Sequence, residues 1–354
     1  MEVKLDDLKE MPFEPHEEDK FAIRDGDVLI CEGGEAGRAA IWNGPDLGIK
    51  FQKAIHRVRC GADLYNRYLV HKLMYDYHNG QLADYLTGVT IKHITGQDLA
   101  RYQIPLPPLA EQMRIVAILD EAAALRRNRQ EALLALSRLL KATFSSIFGD
   151  PAVNERRWDR MTLRSVSTVF SDGPFGSNLK SEHYTETGIR VIRLQNIGSG
   201  EFLDEDRAFV TEDHFARLRK HSCLPGDLLI GTLGDPNLRA CIQPDDIPVA
   251  LNKADCVQMR CDQDIAVPEY IEALLNHPST ERLAQNKVQG QTRLRISMGR
   301  LRELEVPMPP VDIQRAFSAR VRAIRDVQRG QREHLAQLDA LFASLQHRAF
   351  RGEL

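Results

Sequence analysis

The sequence predicts an α+β protein: two mixed α/β units joined by two long antiparallel helices that form a coiled-coil spacer. Three observations lead there. A proline-rich strap runs into a long helix-forming stretch at residues 102–151, and the arrangement returns at 304–354, displaced by 202 positions. Each strap follows a stretch of short strands and turns, and those stretches also match one another. Finally, 354 residues exceed the usual size of one core, so two or three units of roughly 100–200 residues are expected.

Residues 1–20 mix acids and prolines without periodicity and read as an exposed lead-in. From Phe21 the pattern changes. Asp25-Gly26 marks a turn, Val28 to Cys31 reads as a strand, and a second strand follows near Ala39 to Trp42. Between them EGGEAG (32–37) leads towards a strand and reads as a hairpin rather than a phosphate loop. GIKFQKAIHRVRC (48–60) ends in a strand. A helix over Leu64 to His78 follows, with Leu69, Leu73 and Tyr77 on one face. Pro105, Pro107 and Pro108 forbid helix before Leu109.

From Leu109 to about Ser146 no Gly or Pro intervenes, and strong helix formers dominate. Ile115, Ile118, Ala122, Leu125, Ala132, Leu136 and Leu139 share the a and d positions of one heptad frame, with Arg129 as the polar intruder. Such a helix is roughly 57 Å long. The second unit repeats the first: PGDLLI (225–230) matches DGDVLI (25–30), Asn252-Lys253-Ala254 matches Gln52-Lys53-Ala54, and GQTRLRISMGRL (290–301) matches GVTIKHITGQDL (88–99). The final helix, about Asp312 to Phe350, aligns Phe317, Ile324, Leu338 and Leu345 at one heptad position and Val321, Leu335 and Phe342 at another. A two-fold arrangement makes the helices antiparallel with the units at opposite ends; the competing arrangement packs each helix on its own unit. The expected boundaries are 1–108, 109–150, 151–310 and 311–354.

Composition narrows the function. With 43% hydrophobic and 27% charged residues the chain is ordinary for a folded protein. The acidic N-terminus lacks the features of a signal peptide, and no apolar run approaches the roughly 20 residues that cross a bilayer, so a cytoplasmic protein without membrane contact is expected. Six cysteines without a CxxC pair read as reduced, half-buried thiols, and no metal site is expected. There is no GxxxxGK[ST], HExxH or GxSxG. His71, His78 and His93 lack carboxylates at ligand spacing, and Asp245-Asp246 sit in a turn. No catalytic residues are predicted.

A binding chemistry is visible instead. KVQGQTRLRISMGRLR (287–302) carries five cations and no acid, with glutamines interleaved. Arginine offers paired donors to phosphate or guanine and glutamine suits the adenine edge, so Gln289, Gln291, Arg293 and Arg295 are candidate DNA contacts. A solvated basic face is the alternative. SDGPFGSNLKSEHY (171–184) is a glycine-rich loop whose Phe175, Ser177, Asn178 and Lys180 could approach a phosphate or enter a groove. In VIRLQNIG (191–198), alternation puts Arg193 and Gln195 on one face of a strand, with Asn196 starting the turn. Asn252 and Lys253 join this set, as do Gln52, Lys53 and Lys92 from the matching stretches of the first unit.

PLPPLAEQ with RIVAILDE (105–121), its weaker copy PMPPVDIQ (307–314), the tandem units, DGPFGSNLK and the FRGEL ending together resemble the specificity subunit of type I restriction-modification systems. The resemblance covers nearly the whole chain. It implies two target recognition domains, each reading half of a bipartite sequence in double-stranded DNA, and helices that act as spacer and as docking surface for methyltransferase subunits. It further implies a restriction or motor subunit as partner and no catalytic centre in this chain. S-adenosylmethionine, ATP and Mg would belong to the partners, with no cofactor here. The first unit departs from the pattern: it has 25 residues before Gly26, whereas the second has 68 from Trp158 to Pro225. A truncated first domain is therefore expected, and a DNA-incompetent relic that serves only as a protein-interaction scaffold is the alternative.

Overall fold

A run of prolines offers carbonyl acceptors but few N–H donors, so a buried strap of this kind must draw its hydrogen bonds from side chains. Two fully buried glutamines supply them. Gln112 accepts from the Tyr65 N–H and donates to the carbonyls of Asp63 and Pro107, each at 2.8 Å. Gln314 does the same 202 positions later: it accepts from the Val267 N–H at 2.9 Å and donates to Ile265 at 3.0 Å and Pro309 at 2.7 Å. The Tyr68 and Tyr270 hydroxyls donate to the carbonyls of Pro105 and Pro307. In each unit these contacts tie strap, helix start and globular core into one knot.

The computed structural model describes residues 3, 5, 8–45, 48–52, 54–88, 90, 92–234, 236, 238–284 and 295–354, together with the backbone of 288–289. The chain forms two units, Met1–Ala132 with Gln331–Leu354, and Leu133–Gly330. Helix and sheet are both present in each, as the α+β expectation requires.

In the first unit a short helix, α1 (Glu18–Phe21), precedes a three-stranded antiparallel sheet of β1 (Val28–Cys31), β2 (Ala39–Ile41) and β3 (Ile55–Val58) in the order β2-β1-β3. EGGEAG makes the β1–β2 connection. Gly37 takes φ +93°, and a Cβ there would meet the Leu82 side chain at 2.4 Å, so only glycine fits. Helix α2 (Asn66–His78) packs Leu69 and Leu73 against Val28, Ile30 and Ala39 of the sheet. Tyr77, expected on that face, is exposed. A hairpin of β4 (Leu86–Thr87) and β5 (His93–Ile94) leads to α3 (Gly96–Arg101), capped by the Thr95 hydroxyl, which accepts from the Asp98 N–H.

Helix α4 spans Leu109–Phe148, 40 residues. Its first part packs on α2 and on residues 331–351 of the C-terminal helix through Ile115, Val116, Leu119, Ala122, Phe342 and Phe350. The single heptad frame is corrected here: Leu125 and Leu139 are exposed, while Val116 and Leu119, outside that frame, are buried. The cause is that α4 meets Tyr68 and Tyr75 of α2 as well as the other long helix. Its apolar stripe therefore widens beyond a two-position seam. Arg129 pairs with Gln331, and Arg126 Nε donates to Asp339 at 2.6 Å while its guanidinium lies over Phe342. Arg114 reaches the Leu354 carbonyl, so the two helices run antiparallel in this unit.

The second unit opens with β6 (Asp159–Thr162) and β7 (Ser167–Asp172), then β8 (Ile189–Ile192), β9 (Ala208–Val210), α5 (Glu212–Arg217) and β10 (Ser222–Cys223). Strands β11 (Leu228–Gly231), β12 (Ala240–Ile242), β13 (Ala250–Asn252) and β14 (Cys256–Cys261) follow. Helices α6 (Pro268–Leu275) and α7 (Pro278–Ala284), strands β15 (Val288–Gln289) and β16 (Arg295–Ile296), helix α8 (Met298–Arg302), strand β17 (Glu305–Met308) and, as far as Gly330, helix α9 (Val311–Arg351) complete it. The sheet β12-β11-β14-β7 repeats β2-β1-β3 and adds β7; a second sheet, β10-β13-β8-β9, pairs β13 and β8 in parallel.

A buried Asp27 accepts two bonds from Arg59 at 2.8 Å in the first unit, and Asp227 accepts from Arg260 at 2.7 and 2.8 Å in the second. Burial pushes the Asp27 carboxyl up, but Arg59 and the Arg24 N–H outweigh it and hold the group below the usual carboxylate range. Phe144 and Phe148 at the end of α4 pack on Phe317 of α9 and on Tyr270, and Ser137 accepts from Gln328, again antiparallel. The α9 frame holds: its seven positions are all buried or half-buried.

The strand expected through VIRLQNIG stops at Ile192. Residues Leu194–Asn196 form a 3-10 turn in which the Asn196 side-chain Oδ1 accepts from the Arg193 N–H at 2.9 Å, so Arg193 and Gln195 do not share a strand face. All six cysteines are free thiols, and Cys223, Cys241, Cys256 and Cys261 are fully rather than half buried.

Candidate nucleic-acid interface

Three chain segments of the second unit converge. Gly173 lies so close to the 253–254 backbone that a Cβ would sit 2.0 Å from the Lys253 carbonyl carbon, which seats the glycine-rich loop on the β13–β14 turn. Leu233 bridges to Arg295, which brings the β15–β16 hairpin to the same place. Side chains then interlock around two aromatic rings. The Arg295 guanidinium lies 5.6 Å from the centre of Phe175, and its Nη2 is 2.7 Å from Asp255 Oδ1. Arg193 lies 5.4 Å over the Tyr184 ring and pairs with Asp206; Lys253 Nζ donates to the Tyr184 hydroxyl at 2.9 Å.

Such cation-capped rings are a recurrent chemistry for nucleic acid, since the cations meet phosphates or base edges while the aromatic faces meet sugars and bases. Hydrogen-bonding capacity is left unspent here: Arg193 Nε and Asp206 Oδ2 are buried without a partner. Beside Phe175 lies a cavity of 170 Å³ lined by Asp172, Thr232, Asp255, Arg295 and Met298, among others.

The predicted residues divide into groups. Phe175, Ser177, Asn178, Lys180 and Gln195 are exposed on or beside this face, and Asn178 anchors the loop by accepting from His214 Nε2 at 3.0 Å. Arg193, Lys253 and Arg295 are brought together with them. Asn196 and Asn252 are corrected: both are fully buried, Asn196 donating to the carbonyls of Leu203 and Asp206 and Asn252 to that of Cys256. Their side chains are thus held inside the unit and not on its surface.

Gln291, Arg293 and Lys53 lie outside the described residues, as does the side chain of Gln289. In the first unit Gln52 and Lys92 are exposed. Sequence reasoning missed Tyr184, Asp206 and Asp255. Tyr184 stood at the end of the singled-out loop, but the two acids carry no local signal because their cationic partners are 13 and 40 positions away.

Among the described residues no group of three or more His, Cys, Asp or Glu is placed to hold a metal, and no helix is long and apolar enough to cross a membrane. The chain resembles known proteins in both sequence and fold. A model described as the type I restriction modification DNA specificity domain matches residues 12–135. The specificity subunit of the type I restriction enzyme EcoKI of Escherichia coli K12 is 24% identical over 309 residues, 82% of this chain and 66% of its own length. That of EcoBI from Escherichia coli is 23% identical, spanning 93% of this chain and 73% of its own, and that of MjaVIII from Methanocaldococcus jannaschii is 21% identical, spanning 90% and 77%. The chain is thus similar to type I specificity subunits over most of its length, and the family model matches its first third.

Solved structures agree on the fold. The S subunit of a type I restriction-modification system from M. genitalium superposes with a TM-score of 0.55 at 17% identity, covering 94% of this chain and 84% of that one. A chain from a study of assembly and conformational transition in a type I R-M system gives 0.56 at 21%, covering 94% and 83%. The matching model is described as a DNA specificity domain, and the relatives are named as specificity subunits. The matched segment 12–135 takes in the sheet, the strap and the first part of α4, whereas the converging face lies beyond it, in the second unit.

Proposed function

We propose that this chain reads a bipartite DNA target for a type I restriction-modification complex and docks methyltransferase subunits through its long helices. The observation that carries the reading is the convergence of the glycine-rich loop, the β13–β14 turn and the β15–β16 hairpin on one cation and aromatic face. Loops on a rigid scaffold are where recognition is expected, and cations and aromatic rings held together on such loops suit a duplex. Phe175, Ser177, Asn178, Lys180, Arg193, Gln195, Lys253 and Arg295 form the contact set of the second unit; Gln52, Lys53 and Lys92 are the candidates of the first. The partners, including a motor subunit, would hold S-adenosylmethionine, ATP and Mg. A helix of roughly 57–60 Å spans on the order of 17 base pairs, which suits a fixed spacing between half-sites.

The test is methylome sequencing of a host that expresses this subunit with its methyltransferase partner. A split motif with two defined halves is expected. Modification without a motif, or none at all, would instead leave the chain as an interaction scaffold.

A further inference from the structure

Asp255 differs from the other carboxylates on this face in being held by the backbone. It takes φ +67°, and its carbonyl accepts from both the N–H and the hydroxyl of Thr232, each at 3.0 Å. Glu182 and Asp206, which pair with Lys180 and Arg193, have side chains 66% and 38% exposed and can turn into water when another anion takes their cation; Asp255, at 22%, cannot do so as freely. Its charge is also not needed for the turn. In the first unit Ala54 occupies the same corner at φ +79°, its carbonyl accepting from the Glu32 N–H at 2.8 Å, and His93 stands where Arg295 stands.

Arg295 is thus constrained twice, by the Phe175 ring beneath its plane and by Asp255 at Nη2. No other partner holds its guanidinium among the described residues, and the side chain is 46% exposed. An arginine neutralised by a fixed carboxylate is a poor phosphate ligand. Its remaining donors still match the paired O6 and N7 acceptors that guanine presents in the major groove. From the reading of this face as a DNA interface, we infer that Arg295 reads a guanine edge in one half-site, with Asp255 as the positioning residue that keeps it from the backbone phosphates. The carboxylate then leaves the target complex intact and opposes complexes with random DNA, where the arginine would otherwise turn to a phosphate.

The test uses the full chain with its methyltransferase partner in mobility shifts across a salt series. The duplexes are the target defined by the methylome, the same target with single guanines replaced by 7-deazaguanine, and a random sequence. The wild type should lose about tenfold in affinity at one 7-deazaguanine position, and Arg295→Ala should be indifferent to that replacement. Asp255→Asn, which keeps the side-chain shape and tolerates positive φ, should bind the random duplex about three- to tenfold tighter, with a salt slope steeper by about one. Asp255→Gly, which removes any backbone strain, should behave alike.

If Arg295→Ala keeps the wild-type sensitivity, or if both Asp255 variants bind random DNA as the wild type does, the inference is overturned while the interface stands. If the wild type shows no target preference at all, the interface reading fails and takes this one with it.

Discussion

Gln314 shows how much one side chain can carry. Replacing it with leucine keeps the volume but strands the Val267 N–H and the carbonyls of Ile265 and Pro309 in a site without solvent. We expect Gln314→Leu to cost about 3 kcal/mol, read as a lowered denaturant midpoint; an unchanged midpoint would show that the strap finds other donors. The glutamines were legible in the sequence only as the last letters of the paired PLPPLAEQ and PMPPVDIQ. Their burial and bonds were not, because a polar residue at the start of a helix ordinarily faces water. Asn196 and Asn252 differ from their expectation in the opposite direction: asparagines beside a basic run suggest base contacts, yet both side chains are fully buried, with the Asn196 amide and the Asn252 Nδ2 bonded to the backbone.

At the level of elements, the repeat preserves geometry while inverting charge. Arg67 of α2 pairs with Asp120 of α4 at 2.6 Å, and 202 positions later Glu269 of α6 pairs with Arg322 of α9, also at 2.6 Å. Each pair fastens a globular helix to a long one, and the polarity is free because only the pairing matters. Arg322→Glu should therefore destabilise the second unit, and Glu269→Arg with Arg322→Glu, which copies the polarity of the first unit, should recover most of the loss. Arg322 is 69% exposed, so screening keeps the coupling near 1 kcal/mol in a double-mutant cycle. A cycle with no coupling would reduce the pair to a surface contact.

Across the whole molecule, the two units share the strand-helix-strap-helix plan but not the converging cation and aromatic face. Among the described residues the first unit has no counterpart of the sheet β10-β13-β8-β9 or of the loop that Gly173 seats. Because the converging face belongs to the second unit alone, Arg295→Ala should relax one half of the methylated motif and leave the other half as in the wild type. Loss of definition in both halves would mean that the residue supports the fold rather than the reading.

The repeat and the helix lengths to within a few residues were written in the sequence, because proline punctuation, heptad spacing and turn residues act over a few positions. The strand ends at Ile192, the widened stripe of α4 and the partners of Arg193 and Arg295 were decided only in three dimensions. Burial and ion pairing depend on which surfaces meet, and Asp255 reaches Arg295 only because a turn and a distant hairpin are folded onto the same loop.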